Sequence, residues 1–212
     1  TAGFARCANG DIGHGVHGAR GYRKAGQRES AAVYWRVNAD LLPALVTCPS
    51  PDIRIVLLQT SHPGNIGAVA RAMKNMCLRD LWLVAPRRFP DAEATARASG
   101  AAAVLAGARL CAGLDEALAG YRLVIGTSAR RRTVEWPLLD PRQCAGTALA
   151  AAREGPVALL FGRENSGLSN EELDRCRYLV HIPSNPNYNS LNLAMAAQVL
   201  AYDMFMTTGE RR

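Results

Sequence analysis

The 212 residues are 49% hydrophobic, enough to bury the core of one domain, or one domain with an appendage, and to exclude a wholly disordered chain. Basic residues outnumber acidic ones 25 to 18, a formal charge of +7, and only Lys24 and Lys74 among them are lysines. An arginine excess favours a polyanionic partner such as nucleic acid, although a GC-rich genome produces the same bias. The six cysteines contain no C-x-x-C pair, which excludes a zinc ribbon, a thioredoxin-like motif and a haem attachment site and predicts buried free thiols. No apolar run approaches the roughly 18 residues of a membrane span. The N-terminus lacks an apolar signal region, so a reducing, cytoplasmic setting is expected.

In chain order, residues 1–50 come first and differ from the rest. Gly10–Gly18 is glycine-rich without a period of 2 or 3.6, Ala19–Arg36 adds arginines and few core residues, and the chain begins at Thr1 rather than a methionine. This stretch reads as a flexible leader or translated upstream sequence, with the folded domain at 51–212. His14 and His17 lack further ligands, and no metal site is expected. From Ile53 five short apolar runs appear: Ile53–Gln59, Leu81–Ala85, Arg122–Thr127, Val157–Gly162 and Tyr178–Pro183. They are near-continuous rather than alternating, as in strands covered on both faces of a parallel sheet.

Helical segments separate these runs. Over Asn65–Met76 the residues Ile66, Val69, Met73 and Met76 share one face, with Arg71, Lys74 and Asn75 opposite. Asp115–Ala119 and Gly146–Arg153 read as short helices, and Ser169 to Glu172 is a capping box opening another. A final helix over about Leu191–Met206 places Leu191, Met195, Val199, Tyr202 and Met206 on one face. Such alternation predicts an α/β domain with a mostly parallel sheet and helices on both faces.

In such a sheet ligands bind beyond the carboxyl ends of the strands. Four of the five runs are followed there by loops rich in polar residues, glycine and proline: Thr60–Gly67, Thr127–Arg132, Gly162–Leu168 and Pro183–Asn192. Together they predict one composite site. No G-x-G-x-x-G follows a strand, and the second run ends in Ala85-Pro86 rather than an acidic residue. That disfavours a Rossmann dinucleotide enzyme and the usual Rossmann-type methyltransferase, and the absence of G-x-x-x-x-G-K-[ST] excludes a P-loop NTPase.

Each residue of these loops has a structural reading and a functional one. Gly64 to Gly67 opens a helix whose free N–H groups can hold a phosphate, or is a turn. Arg71 is a solvated arginine or a site residue. Glu164 pairs with Arg163, caps a turn, or serves chemistry. Ser190 reads as an N-cap of the last helix, with Asn192 satisfying free N–H groups nearby. Arg130, Arg131 and Arg132 form a solvated loop or contact phosphates.

At these residues the sequence resembles the SpoU branch of the SPOUT methyltransferases, most closely the TrmJ type. Three motifs carry the resemblance: His62 to Asn75 (HPGNIGAVARAMKN), Leu160 to Leu168 (LFGRENSGL), and Ile182-Pro183 through Ser190-Leu191-Asn192-Leu193-Ala194. The resemblance runs from about Ile53 to Met206. It implies a deep trefoil knot in the C-terminal part of the domain, an S-adenosyl-L-methionine site within it, and a homodimer. The cofactor residues implied are Thr127, Ser128, Ala129, Gly162, Ile182, Asn189, Ser190 and Leu191. The implied reaction is 2′-O-methylation of a tRNA ribose at cytidine or uridine 32 of the anticodon loop. Arg71 and Ser190 match the catalytic pair, supported by Asn65, Glu164 and Asn192. Arg71 and Arg130 to Arg132 are the expected RNA contacts. A guanidinium stays protonated in proteins, so Arg71 is expected to orient phosphate and stabilise the nascent alkoxide rather than act as a base.

The TrmJ type often continues into a C-terminal helical extension, whereas this chain ends at Arg212, so RNA affinity is the property that a shorter chain puts at stake. Three alternatives stay open: a ribosomal RNA ribose methyltransferase, a non-catalytic RNA-binding or resistance protein of the same fold, and an α/β nucleotide-binding regulator. The last lacks any glycine fingerprint.

Overall fold

The computed structural model describes residues 50–129 and 136–209, which fall within a unit spanning Thr47–Arg212. Its strands are β1 (Ile53–Leu58), β2 (Asp80–Val84), β3 (Arg109–Cys111), β4 (Leu123–Thr127), β5 (Leu138–Leu139), β6 (Val157–Phe161) and β7 (Tyr178–Val180). The helices are α1 (Pro63–Asn75), α2 (Ala92–Ala98), α3 (Ala102–Ala106), α4 (Leu114–Ala117), α5 (Pro141–Ala151), α6 (Asn170–Leu173) and α7 (Leu193–Thr207), with a 3-10 turn at Ser99–Ala101. The strands form one sheet in the order β3-β2-β1-β6-β4-β7-β5, and every pairing is parallel. The five apolar runs are β1, β2, β4, β6 and β7. The two strands absent from the sequence reading, β3 and β5, are the edges of the sheet.

Successive side chains of a strand point to opposite faces, so each run feeds two cores. Ile53, Ile55 and Leu57 pack with α1, α2, α3, α5 and α7 on one face, while Val56 and Leu58 join the smaller cluster under α4 and α6 on the other. Central β6 is buried at all five positions. That double burial is why the runs do not alternate. Arg54, the charged residue within β1, lies between aromatic rings, 5.5 Å from the centroid of Trp82 and 4.9 Å from that of Tyr121. Contacts of this kind are worth about 0.5–1 kcal/mol each at exposed sites.

Helix α7 starts at Leu193 rather than Leu191; it sends Ala197, Leu200, Ala201 and Met204 into the core, and the face that carries Met195 and Tyr202 is its outer one. Helix α5 begins earlier than Gly146, at Pro141, because Asp140 and Gln143 form a reciprocal capping box. Of the cysteines, Cys111, Cys144 and Cys176 are buried and free as expected, and burial pushes the Cys144 and Cys176 thiols up to about 12.

The sheet reverses its direction of growth beside β1: β2 and β3 extend to one side, and the chain then returns to place β4, β6, β7 and β5 on the other. Ligands bind at the carboxyl edge of such a switch point. The loops leaving β1, β4, β6 and β7 meet there.

Candidate active site

The site is built around the entry to α1. Its first helical residue is Pro63, whose fixed φ suits that position and whose missing N–H would be unpaired there anyway. His62 is the N-cap but makes no capping bond with its side chain. The loop after β6 supplies the acceptor instead. Glu164 Oε2 accepts from the Ser61 N–H and from Ser61 Oγ, both at 3.0 Å. Its Oε1 accepts from the His62 N–H at 3.3 Å and from Asn65 Nδ2 at 3.1 Å. A carboxylate at a helix N-terminus also lies at the favourable end of the helix dipole. Burial acts to raise the Glu164 pKa, but the bonds from Ser61, Asn65 and His62 outweigh it and hold the carboxyl below its ordinary range.

Asn65 extends the network. Its Oδ1 accepts from Asn192 Nδ2 at 3.0 Å, and Asn192 Oδ1 accepts from the Ala194 N–H at 2.9 Å. Asn192 is therefore the N-cap of α7, not Ser190, which lies two residues earlier. Glu164, Asn65 and Asn192 thus tie the β6 loop, the α1 entry and the α7 entry into one unit. Arg163 is occupied elsewhere rather than by Glu164. Its guanidinium bonds both Glu172 oxygens at 2.9 and 3.0 Å, and its Nε donates to Gln59 at 2.7 Å.

Between these loops lies a cavity of about 240 Å³. Thr127, Ser128, Ala129, Gly162, Ile182, Asn189, Ser190 and Leu191 all line it, as does Glu164. Phe161, Leu168, Leu173 and Val180 add apolar surface, and Leu193 and Ala196 contribute the start of α7. Two close approaches fix its shape. A Cβ on Gly162 would run into the backbone of Gly167 and Leu168, so glycine alone lets that loop fold back. The Ser128 N–H donates to the Val180 carbonyl at 3.0 Å, and His181 Nδ1 lies 3.2 Å from the Ser128 carbonyl, joining the loops after β4 and β7. The Pro183–Asn192 loop contains an Asx turn in which Asn185 Oδ1 accepts from the Asn187 N–H at 2.9 Å.

Two proposed catalytic residues, Asn65 and Asn192, do not line the cavity. Arg71 does not line the cavity. It is exposed on α1, six residues beyond Asn65 and so about 9 Å along the helix axis, with no ion pair or hydrogen bond among the described residues. Arg130, Arg131 and Arg132 lie outside the described residues. Sequence reasoning missed the apolar floor, because Phe161, Leu168 and Val180 look like ordinary core positions. It also missed the backbone N–H groups of Ser61 and His62, for which Pro63 at a helix start was the available signal. Among the described residues no cluster of three or more His, Cys, Asp or Glu is placed to hold a metal, and no helix is long and apolar enough to cross a membrane.

The model of the SpoU rRNA methylase family matches residues 52–202, spanning both ends of this site. The chain belongs to the SpoU rRNA methylase family. Within that family it is 59% identical over 155 residues to the tRNA (cytidine/uridine-2′-O-)-methyltransferase TrmJ of Escherichia coli (strain K12). The match covers 73% of this chain, which spans 63% of that relative's length. The solved structure of TrmJ from Z. mobilis ZM4 is 39% identical with a TM-score of 0.69, over 75% of this chain and 71% of that one. The SpoU methyltransferase AviRb from Streptomyces viridochromogenes, solved with AdoMet, shares the fold at 22% identity and a TM-score of 0.60, over 78% of this chain and 64% of that one.

Proposed function

We propose that this SpoU protein is an S-adenosylmethionine-dependent tRNA ribose 2′-O-methyltransferase acting at cytidine or uridine 32 of the anticodon loop. One observation carries the reading: the loops of the second and third sequence motifs line one cavity, and hydrogen bonds through Glu164, Asn65 and Asn192 lock the helix entry of the first motif to them. The family description names rRNA, which keeps an rRNA ribose as the alternative substrate. The 59% identity to a tRNA enzyme favours tRNA.

The cavity suits the cofactor. Its apolar floor offers a surface for an adenine ring, the tight loops at Thr127–Ala129 and Ile182–Leu191 offer backbone groups for its edge, and the Glu164 carboxylate complements a cationic sulfonium. When bound, S-adenosylmethionine supplies an activated methyl group. The target 2′-oxygen must lie in line with it and lose its proton as the new bond forms. Ser190 lines the cavity and is assigned to orient that hydroxyl. Glu164, Asn65 and Asn192 hold the loops in register, so that positioning supplies much of the rate.

We assign Arg71 to the target phosphate and the nascent alkoxide, with Arg130 to Arg132 as further phosphate contacts. Its place outside its own chain's cavity supports the homodimer. Helix α7 begins at the cavity and packs on α1, and its outer face carries exposed Met195 and Tyr202. Two copies meeting through that face would bring Arg71 of one towards the cavity of the other. The insertion of β7 between β4 and β5, both laid down earlier in the chain, supports the deep trefoil knot. The methyltransferase domain is taken as residues 51–212, with 1–50 outside it, and a tRNA substrate implies a cytoplasmic protein. Arg71→Ala tests the assignment: methyl transfer should be abolished while calorimetric binding of S-adenosylmethionine stays within about twofold. A variant that retains most of its activity would refute it.

A further inference from the structure

We propose that Arg87 and Arg88 form an additional RNA-gripping surface on the β2 side of the cavity, holding backbone phosphates beside the target nucleotide. This rests on the reading that the chain acts on RNA. The loop leaving β2, Ala85 to Asp91, emerges from the same carboxyl edge as the site loops. It is anchored along its length. The Ala85 N–H donates to the Cys111 carbonyl at 2.9 Å, the Arg87 N–H donates to the Thr60 carbonyl at 3.1 Å, and Phe89 packs against the main core. Thr60 leads directly into Ser61, which donates to Glu164 at the cavity wall.

The two guanidinium groups are exposed, and neither side chain makes an ion pair or a hydrogen bond among the described residues. Elsewhere Arg54, Arg122, Arg163 and Arg175 each have a carboxylate partner. The nearest carboxylate in sequence, Asp91, accepts from the Glu93 N–H at 2.8 Å as the N-cap of α2. Two adjacent cations on an anchored loop, with no acid assigned to them, are a preorganised receptor for an anion. The position fits a nucleic-acid strand. β2 is two strand spacings from β6, about 10 Å, a distance that the nucleotides flanking the target can span.

The test measures binding of unfractionated tRNA to the full chain as a function of salt, for the wild type and for Arg87→Ala/Arg88→Ala. Losing two phosphate contacts should weaken binding roughly tenfold at low salt and flatten the slope of log K against log salt by about 1.4–1.8. Binding of S-adenosylmethionine should be unchanged, and Arg87→Lys/Arg88→Lys should keep most of the salt slope. An alanine variant with wild-type affinity and wild-type slope would overturn the proposal. Affinity is read without turnover. A wild type that shows this pattern yet transfers no methyl group therefore supports the surface and counts only against the proposed activity.

Discussion

Glu164 illustrates how one side chain sets the geometry of a loop it does not belong to. All four of its partners are donors, from Ser61, His62 and Asn65, so the position requires an acceptor at both oxygens. Glu164→Gln presents an NH2 group to some of those donors and should cost about 1–3 kcal/mol of stability, read from denaturant melts. The pH dependence follows from the direction of the shift. The folded carboxyl titrates below its unfolded value of about 4.3, so its contribution is fully present above that pH and is lost as pH falls through the lower folded value. The wild type should therefore lose more stability than the glutamine variant across that acid window. Parallel losses in the two proteins would show that the carboxylate is not held as described.

At the scale of elements, what could be read from the sequence followed residue size and segment length. β1, β2, β4, β6 and β7 were visible because strands covered on both faces are continuous apolar runs. β3 and β5, three and two residues long at the sheet edges, are too short to show any pattern. α2 was not visible because its buried face is alanine, at Ala94 and Ala98, which carries little periodic contrast, and α3 is only five residues long, with Val104 and Leu105 as its buried residues. The site loops were legible from their polar, glycine-rich character at strand ends. Their hydrogen bonds were not, since Glu164 and Ser61 are 103 residues apart in the chain. The contact of α1 with α2 gives a test at this scale. A Cβ on Gly67 would run into the Ala94 carbonyl. Gly67→Ala should therefore separate the two helices and cost about 1–3 kcal/mol despite alanine's better helix propensity. A stabilised variant would contradict that packing.

For the whole molecule the informative feature is α7, which is apolar on both its inner and outer faces. Met195 is 62% exposed and Tyr202 49%, while Ala197, Leu200 and Ala201 lie in the core. A helix apolar all round is normally buried all round, which a second copy would accomplish. Mixing two inactive variants tests whether the site is shared between copies. Arg71→Ala keeps its cavity and Gly162→Ala keeps its arginine. In mixed dimers one site regains both, and roughly a quarter of wild-type activity should return at a one-to-one ratio. No recovery, with mixed dimers demonstrated by mass, would place Arg71 and the cavity of the same chain in one site.

The proposed reaction is read out by transfer of labelled methyl groups from S-adenosylmethionine to unfractionated tRNA, followed by alkaline digestion. A methyl on the ribose 2′-oxygen removes the nucleophile that alkali uses to cleave the adjacent phosphodiester. Label is expected in uncleaved dinucleotides whose 5′ residue is cytidine or uridine. Label released in mononucleotides, as base methylation would give, would contradict it.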